Sequence, residues 1–144
     1  MKKDLLLGFD AGTYESKGTL CDTDGRVLAT AFSPHLLKTP KPGWAEHDPL
    51  NDWWGDFRKI VSELLEKTGA EPARIAGIGI STVMAGIVPV DEACRPLRNA
   101  ILYGIDSRAQ KQVEDLKREI GEETMRRKIV DVVGRRASIL PANA

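Results

Sequence analysis

Cysteine is scarce in this 144-residue chain. Cys21 and Cys94 stand alone, in a spacing that suits neither a disulfide framework nor a zinc site, so a reducing cytoplasm is the expected setting. Long apolar runs are missing too. No stretch approaches the roughly 18 apolar residues that a membrane helix needs. Residues 5–9 are the only apolar or small ones between the charged start and Asp10, too few for a secretory signal. Charge of one sign is absent: Lys plus Arg and Asp plus Glu each total 21, leaving no basic field to attract nucleic acid. Internal repeats, low-complexity segments, a P-loop and a Rossmann fingerprint are also lacking.

What remains is the composition of an ordinary globular protein, 42% hydrophobic and 29% charged, long enough for one domain with a real core. The most informative stretch is Leu5-Leu6-Leu7-Gly8-Phe9-Asp10-Ala11-Gly12-Thr13-Tyr14-Glu15-Ser16-Lys17. An apolar run reads as a buried strand and delivers Asp10 where the backbone leaves the sheet. Gly12 permits close approach of a ligand to the main chain. Backbone amides and the Thr13 hydroxyl at such a turn suit a phosphate, and a carboxylate beside them suits Mg²⁺ held through water. Taken alone, Asp-x-Gly-Thr better describes a β-turn in which Asp bonds its own backbone.

Strands are expected over 5–10, 17–22 and 26–32, with Thr23-Asp24-Gly25 as a hairpin turn. Two successive hairpins make an antiparallel start, unlike a βαβ nucleotide fold. Residues 33–48 read as a long polar loop with Pro34, Pro40, Pro42 and Gly43, of a length that tends to be functional or mobile. Asp48 then suits an N-cap and Pro49 the first helical position. Leu50, Trp53, Trp54, Phe57, Ile60, Val61, Leu64 and Leu65 keep helical spacing, which favours core packing over cofactor stacking for the two tryptophans. Lys67 and Gly69 end the helix. Further strands are expected at 74–81, 87–90 and 100–103. Helices follow at 107–119, with Val113, Leu116 and Ile120 inward, and at 122–133, with Met125, Ile129, Val132 and Val133 inward and Gly134 as the stop. Residues 135–144 have no settled pattern.

Five motifs stand in one order: Asp10-Ala-Gly-Thr13; Pro42-Gly-Trp-Ala-Glu-His-Asp-Pro49; Gly77-Ile-Gly-Ile-Ser81; Val90-Asp-Glu-Ala-Cys-Arg-Pro-Leu97; and Ala100-Ile-Leu-Tyr-Gly-Ile-Asp-Ser-Arg-Ala109. Together they closely resemble the N-terminal domain of the FGGY carbohydrate kinases, over nearly the whole chain. The resemblance implies an α/β, ribonuclease-H-like, actin-like ATPase domain: a mixed sheet beginning with three antiparallel strands and flanked by helices. It also implies ATP and Mg²⁺ as cofactors and a sugar or polyol as partner. Family enzymes are several times longer, with two such domains around a cleft. Residues 1–144 therefore read as the first part of the N-terminal domain, lacking the adenosine-holding domain and the general-base aspartate, and inactive alone.

Under that resemblance Asp10 would orient Mg²⁺, Gly12 and Thr13 would cradle the β- and γ-phosphates, and Lys17 would add positive charge or simply be solvated. Met84 and Gly86 match a Met-His-Gly segment that touches the sugar in xylulokinases, while Ala85 replaces its histidine and puts xylulose in doubt. Met84 lines the sugar pocket or fills the core. Tyr103 and Asp106 stand near a family Trp-x-Asp-x-Arg pattern, Tyr103 to pack on a sugar face and Asp106 to accept hydroxyl bonds or to cap the next helix. His47 beside Glu46 and Asp48 suggests a metal, but His35 lies twelve residues away in the same loop, so structural duty is preferred. A non-catalytic sugar-binding or assembly module and an actin-like nucleotide switch are the alternatives. A half-domain would also present apolar edges that favour homo-oligomers.

Overall fold

In the computed structural model, residues 2–84 and 86–127 are described. The alternation of small and apolar residues with polar ones builds β1 (Leu5–Ala11), β2 (Glu15–Asp22) and β3 (Val27–Pro34) into an antiparallel meander. The β2–β3 turn is fixed by Asp22, whose Oδ1 accepts the Asp24 and Arg26 amides at 3.1 and 2.8 Å, and by Gly25 at φ +86°. β5 (Ile75–Thr82) returns parallel to β1, completing a sheet of order β3-β2-β1-β5. β4 (Glu46–His47) and β6 (Ala100–Ile101) form a separate two-stranded pair. The expected mixed sheet with its antiparallel start is therefore present.

The helix is entered as its sequence demands. Asp48 Oδ1 accepts the Leu50 and Asn51 amides, and Asp48 N–H donates to Asp52 Oδ2 at 2.7 Å, a reciprocal cap. The first stretch, Pro49–Gly55, is a widened π-type turn that continues into α1 (Asp56–Thr68). Gly69 closes α1 at φ +62°, the left-handed conformation that glycine adopts without penalty. Ile60 and Leu64 of α1 pack on Leu5, Leu7, Phe9, Ala11, Leu20 and Ala31. Gly18 makes this approach possible, because a Cβ there would run into the Ile60 side chain. Phe57 meets Phe9 edge-on at 5.1 Å.

Some expectations fail for definable reasons. Residues 87–90 make no strand; Ile87 bridges Ile101 and Val90 bridges Pro96 singly, and Pro89 offers no amide to a ladder. The third late strand is shortened to Ala100–Ile101, because the chain turns through Gly104 at φ +76°. The 33–48 loop is tied down by paired Lys38 and Glu46 hydrogen bonds of 2.9 and 2.8 Å. Leu50 and Trp54 are exposed rather than inward, since the widened turn rotates them off the stripe that α1 buries.

The chain divides into two units after Asp106. In the second, α2 (Gln110–Ile120) starts three residues later than expected and has no side-chain cap. Val113 and Leu116 are exposed; an apolar stripe needs a facing surface before it can be buried. Residues 122–127 are helical, while Ile129, Val132, Val133 and Gly134 lie outside the described residues.

Candidate functional site

The site grows from the β1–β2 hairpin. Strand alternation puts Leu5, Leu7, Phe9 and Ala11 against α1 and leaves Asp10 on the opposite face. Register then sets Lys17 of β2 and Ser81 of β5 on either side of Asp10. These three line an open depression of about 440 Å³ on that face. Ser81 was not foreseen as a site residue; only the parallel pairing of β5 with β1 reveals it. Asp10 is half-buried. Lys17 is held by Glu15 at 2.9 Å; that bond and the Glu15 charge raise its ammonium above the ordinary lysine value, and Asp10 adds to the effect.

Residues 11–15 point their carbonyls into the protein, one after another. Ala11 O accepts Val83 N–H at 2.9 Å, Gly12 O faces His35 Nε2 at 3.1 Å, and Thr13 O faces His47 Nε2 at 2.9 Å. Tyr14 O accepts His35 N–H at 3.0 Å, and Glu15 O accepts Gly12 N–H at 3.0 Å. Among the described residues, the Thr13 and Tyr14 amides have no acceptor. A bend whose successive carbonyls are held while two neighbouring amides stay open is an anion-binding concavity. Gly12 is required by space: a Cβ there would lie 2.6 Å from Glu15 O and 3.7 Å from Asp10 Oδ2.

The two histidines that sequence spacing kept apart meet at 4.8 Å between ring centroids. Among the described residues, no group of three or more His, Cys, Asp or Glu side chains could hold a metal ion. His35 Nδ1 lies 2.8 Å from buried Asp56 Oδ2, and Trp53 Nε1–H donates to His47 Nδ1 at 3.1 Å. Burial pushes His47 below the ordinary histidine value, His35 adds to this, and the Thr13 carbonyl and Asp52 oppose it. The structural duty expected of His47 is thus seen in atoms. Asp56 gave no sequence signal, since a charged residue in a first helical turn reads as solvated.

The residues assigned to a sugar lie further along. Met84 follows Val83, which is bonded to the hairpin, and is 74% exposed. Tyr103 is 75% exposed. Asp106 Oδ2 accepts Ala45 N–H at 2.7 Å, whereas the N-cap of α2 is Ala109. Paired backbone bonds of 2.9 and 3.0 Å join Ile87 to Ile101 of the strand before Tyr103. Ala85 lies outside the described residues.

This mixed sheet, with an acidic glycine-bearing hairpin at the end of its central strand, defines an actin-like ATPase domain of ribonuclease-H-like topology. Residues 5–135 match the FGGY family of carbohydrate kinases, N-terminal domain; the chain belongs to that family. A glycerol kinase of Citrifermentans bemidjiense is 39% identical over 123 residues, covering 85% of this chain and 24% of the relative. A xylulose kinase from Rhodospirillum rubrum superposes with a TM-score of 0.76 at 32% identity, covering 83% of this chain and 24% of that one. A gluconate kinase from Lactobacillus acidophilus gives a TM-score of 0.76 at 28% identity, covering 85% and 24%. The chain spans about a quarter of the length of these relatives.

Proposed function

We propose that residues 1–144 form the phosphate-gripping part of a cytoplasmic carbohydrate kinase that moves the γ-phosphoryl group of ATP to a hydroxyl of a sugar or polyol. The observation that carries this reading is the hairpin with two open amides beside Asp10. The space at Gly12, which a Cβ would fill, and a carboxylate next to it fit a polyphosphate with its Mg²⁺. When bound, Mg²⁺ supplies charge neutralisation on the phosphoryl group in transfer. Asp10 holds that ion's water shell, and Thr13 with the open amides grips the phosphate oxygens against Gly12. Lys17 adds positive charge from a position shared with Glu15. Met84, Tyr103 and Asp106 contact the sugar or polyol, in keeping with the exposure of the first two.

The relatives are glycerol, xylulose and gluconate kinases, which supports the class of acceptor and leaves its identity open. No residue here is assigned as the base for the acceptor hydroxyl, and sugar-dependent ADP formation by the 144 residues alone is expected to be absent. The direct test is titration with Mg²⁺-tripolyphosphate, following backbone amide shifts. Thr13 and Tyr14 should move first, and Asp10→Asn should remove the Mg²⁺ dependence. Unmoved hairpin amides at millimolar ligand would refute the reading.

A further inference from the structure

The hairpin is a short bend of small and polar residues, and nothing in its own sequence fixes which way its peptide planes face. Each plane carries a donor on one side and an acceptor on the other, so anchoring the acceptor inward aims the neighbouring donor outward. At two successive peptides the anchor is a histidine side chain rather than the backbone. His35 Nε2 faces Gly12 O, and His47 Nε2 faces Thr13 O. Both rings are almost fully buried.

Each ring is itself oriented by a second residue. Trp53 Nε1 is only a donor, so its 3.1 Å bond makes His47 Nδ1 the acceptor and puts the ring hydrogen on Nε2, facing Thr13 O. His35 lies between two acceptors, the Asp56 carboxylate at 2.8 Å and the Gly12 carbonyl at 3.1 Å. These two contacts fix how the ring sits between α1 and the hairpin. Trp53 reaches further still. Its indole carbon Cη2 is 3.2 Å from where a Cβ on Gly86 would stand, so the indole packs against Gly86.

We propose that His47 with Trp53, and His35 with Asp56, are positioning residues that lock the Gly12 and Thr13 peptides with their carbonyls inward, presenting the Thr13 and Tyr14 amides to a polyphosphate, and that Trp53 ties this setting to Gly86. The lock is a property of the protein before any ligand arrives, which is the sense in which donors are preorganised. Its relevance to phosphate rests on the function proposed above.

The test uses the 144-residue chain and three readouts. Ring ¹⁵N shifts should show His47 protonated on Nε2 and bare on Nδ1. Amide exchange should show Gly12 protected. In His47→Phe, Gly12 exchange should rise about tenfold, the effect of one lost hydrogen bond, while core amides such as Leu20 keep their rates. Mg²⁺-tripolyphosphate should bind that variant about tenfold more weakly. His47→Gln keeps a donor near the Nε2 position and should restore both, and Trp53→Phe should let the His47 hydrogen shift to Nδ1. The last two variants keep the test decisive if His47→Phe does not fold. Hydrogen on His47 Nδ1 in the unaltered chain, or an unchanged hairpin in His47→Phe, overturns the proposal. Tripolyphosphate that fails to bind the unaltered chain refutes the proposed function instead, and the nitrogen shifts and exchange rates then still decide the lock.

Discussion

Gly12 and His47 show how much of this site rests on single residues. A methyl group on Gly12 meets Glu15 O at 2.6 Å, and that oxygen is already held by the Gly12 amide. The hairpin must therefore open for Gly12→Ala to fit. We expect tripolyphosphate affinity to fall at least about tenfold and stability to drop by about 1–3 kcal/mol, the range for overpacking, read by titration and urea melts. For His47 the sign follows from its lowered value: the folded protein prefers the neutral ring. Stability is therefore full above the unfolded histidine value of about 6.5, and is lost as pH falls through it toward the lower folded one. Burial sets this lowering, His35 and Lys38 add to it, and the Thr13 carbonyl and Asp52 oppose it. Melting temperature should decline from pH 8 to pH 5, and His47→Gln should flatten that decline.

Among the elements, α1 and β2 are the pair whose fit is tightest. Ile60 and Leu64 sit over Gly18 with no room for a side chain. Gly18→Val should push α1 off the sheet and cost about 1–3 kcal/mol, read as a lower urea midpoint with unchanged slope. Helical spacing in the sequence announced Ile60 and Leu64. It did not announce their partner, because an isolated glycine in a strand is also read as a bulge or a weak point. The start of the helix teaches the converse. Asp48 and Pro49 marked it correctly, yet the widened turn 49–55 turned Leu50 and Trp54 outward and gave Asp56 a buried partner in His35.

For the molecule as a whole, the sheet leaves β5 at an edge among the described strands. Ile78 and Ile80 are exposed there, and an apolar edge strand templates pairing with another copy. Sedimentation at rising concentration should show self-association of the 144 residues, and Ile80→Lys should reduce it. A monomer at every concentration would remove that expectation. The match to family members of about four times the length was legible in the sequence, because five motifs in one order are specific even where each is weak.

The antiparallel run of the first three strands, the helix with its caps and the acidic bend at the end of β1 follow from local chemistry. Apolar alternation, an N-cap aspartate and a glycine bend act on near neighbours and leave their mark in adjacent residues. What only the folded chain decided is the support of that bend. Ser81, His35, His47, Trp53 and Asp56 come to it from 23 to 71 residues away along the chain, as counted from Gly12 to His35 and from Asp10 to Ser81. Their hydrogen bonds depend on how a helix, a loop and a parallel strand converge, and no spacing within one segment records that.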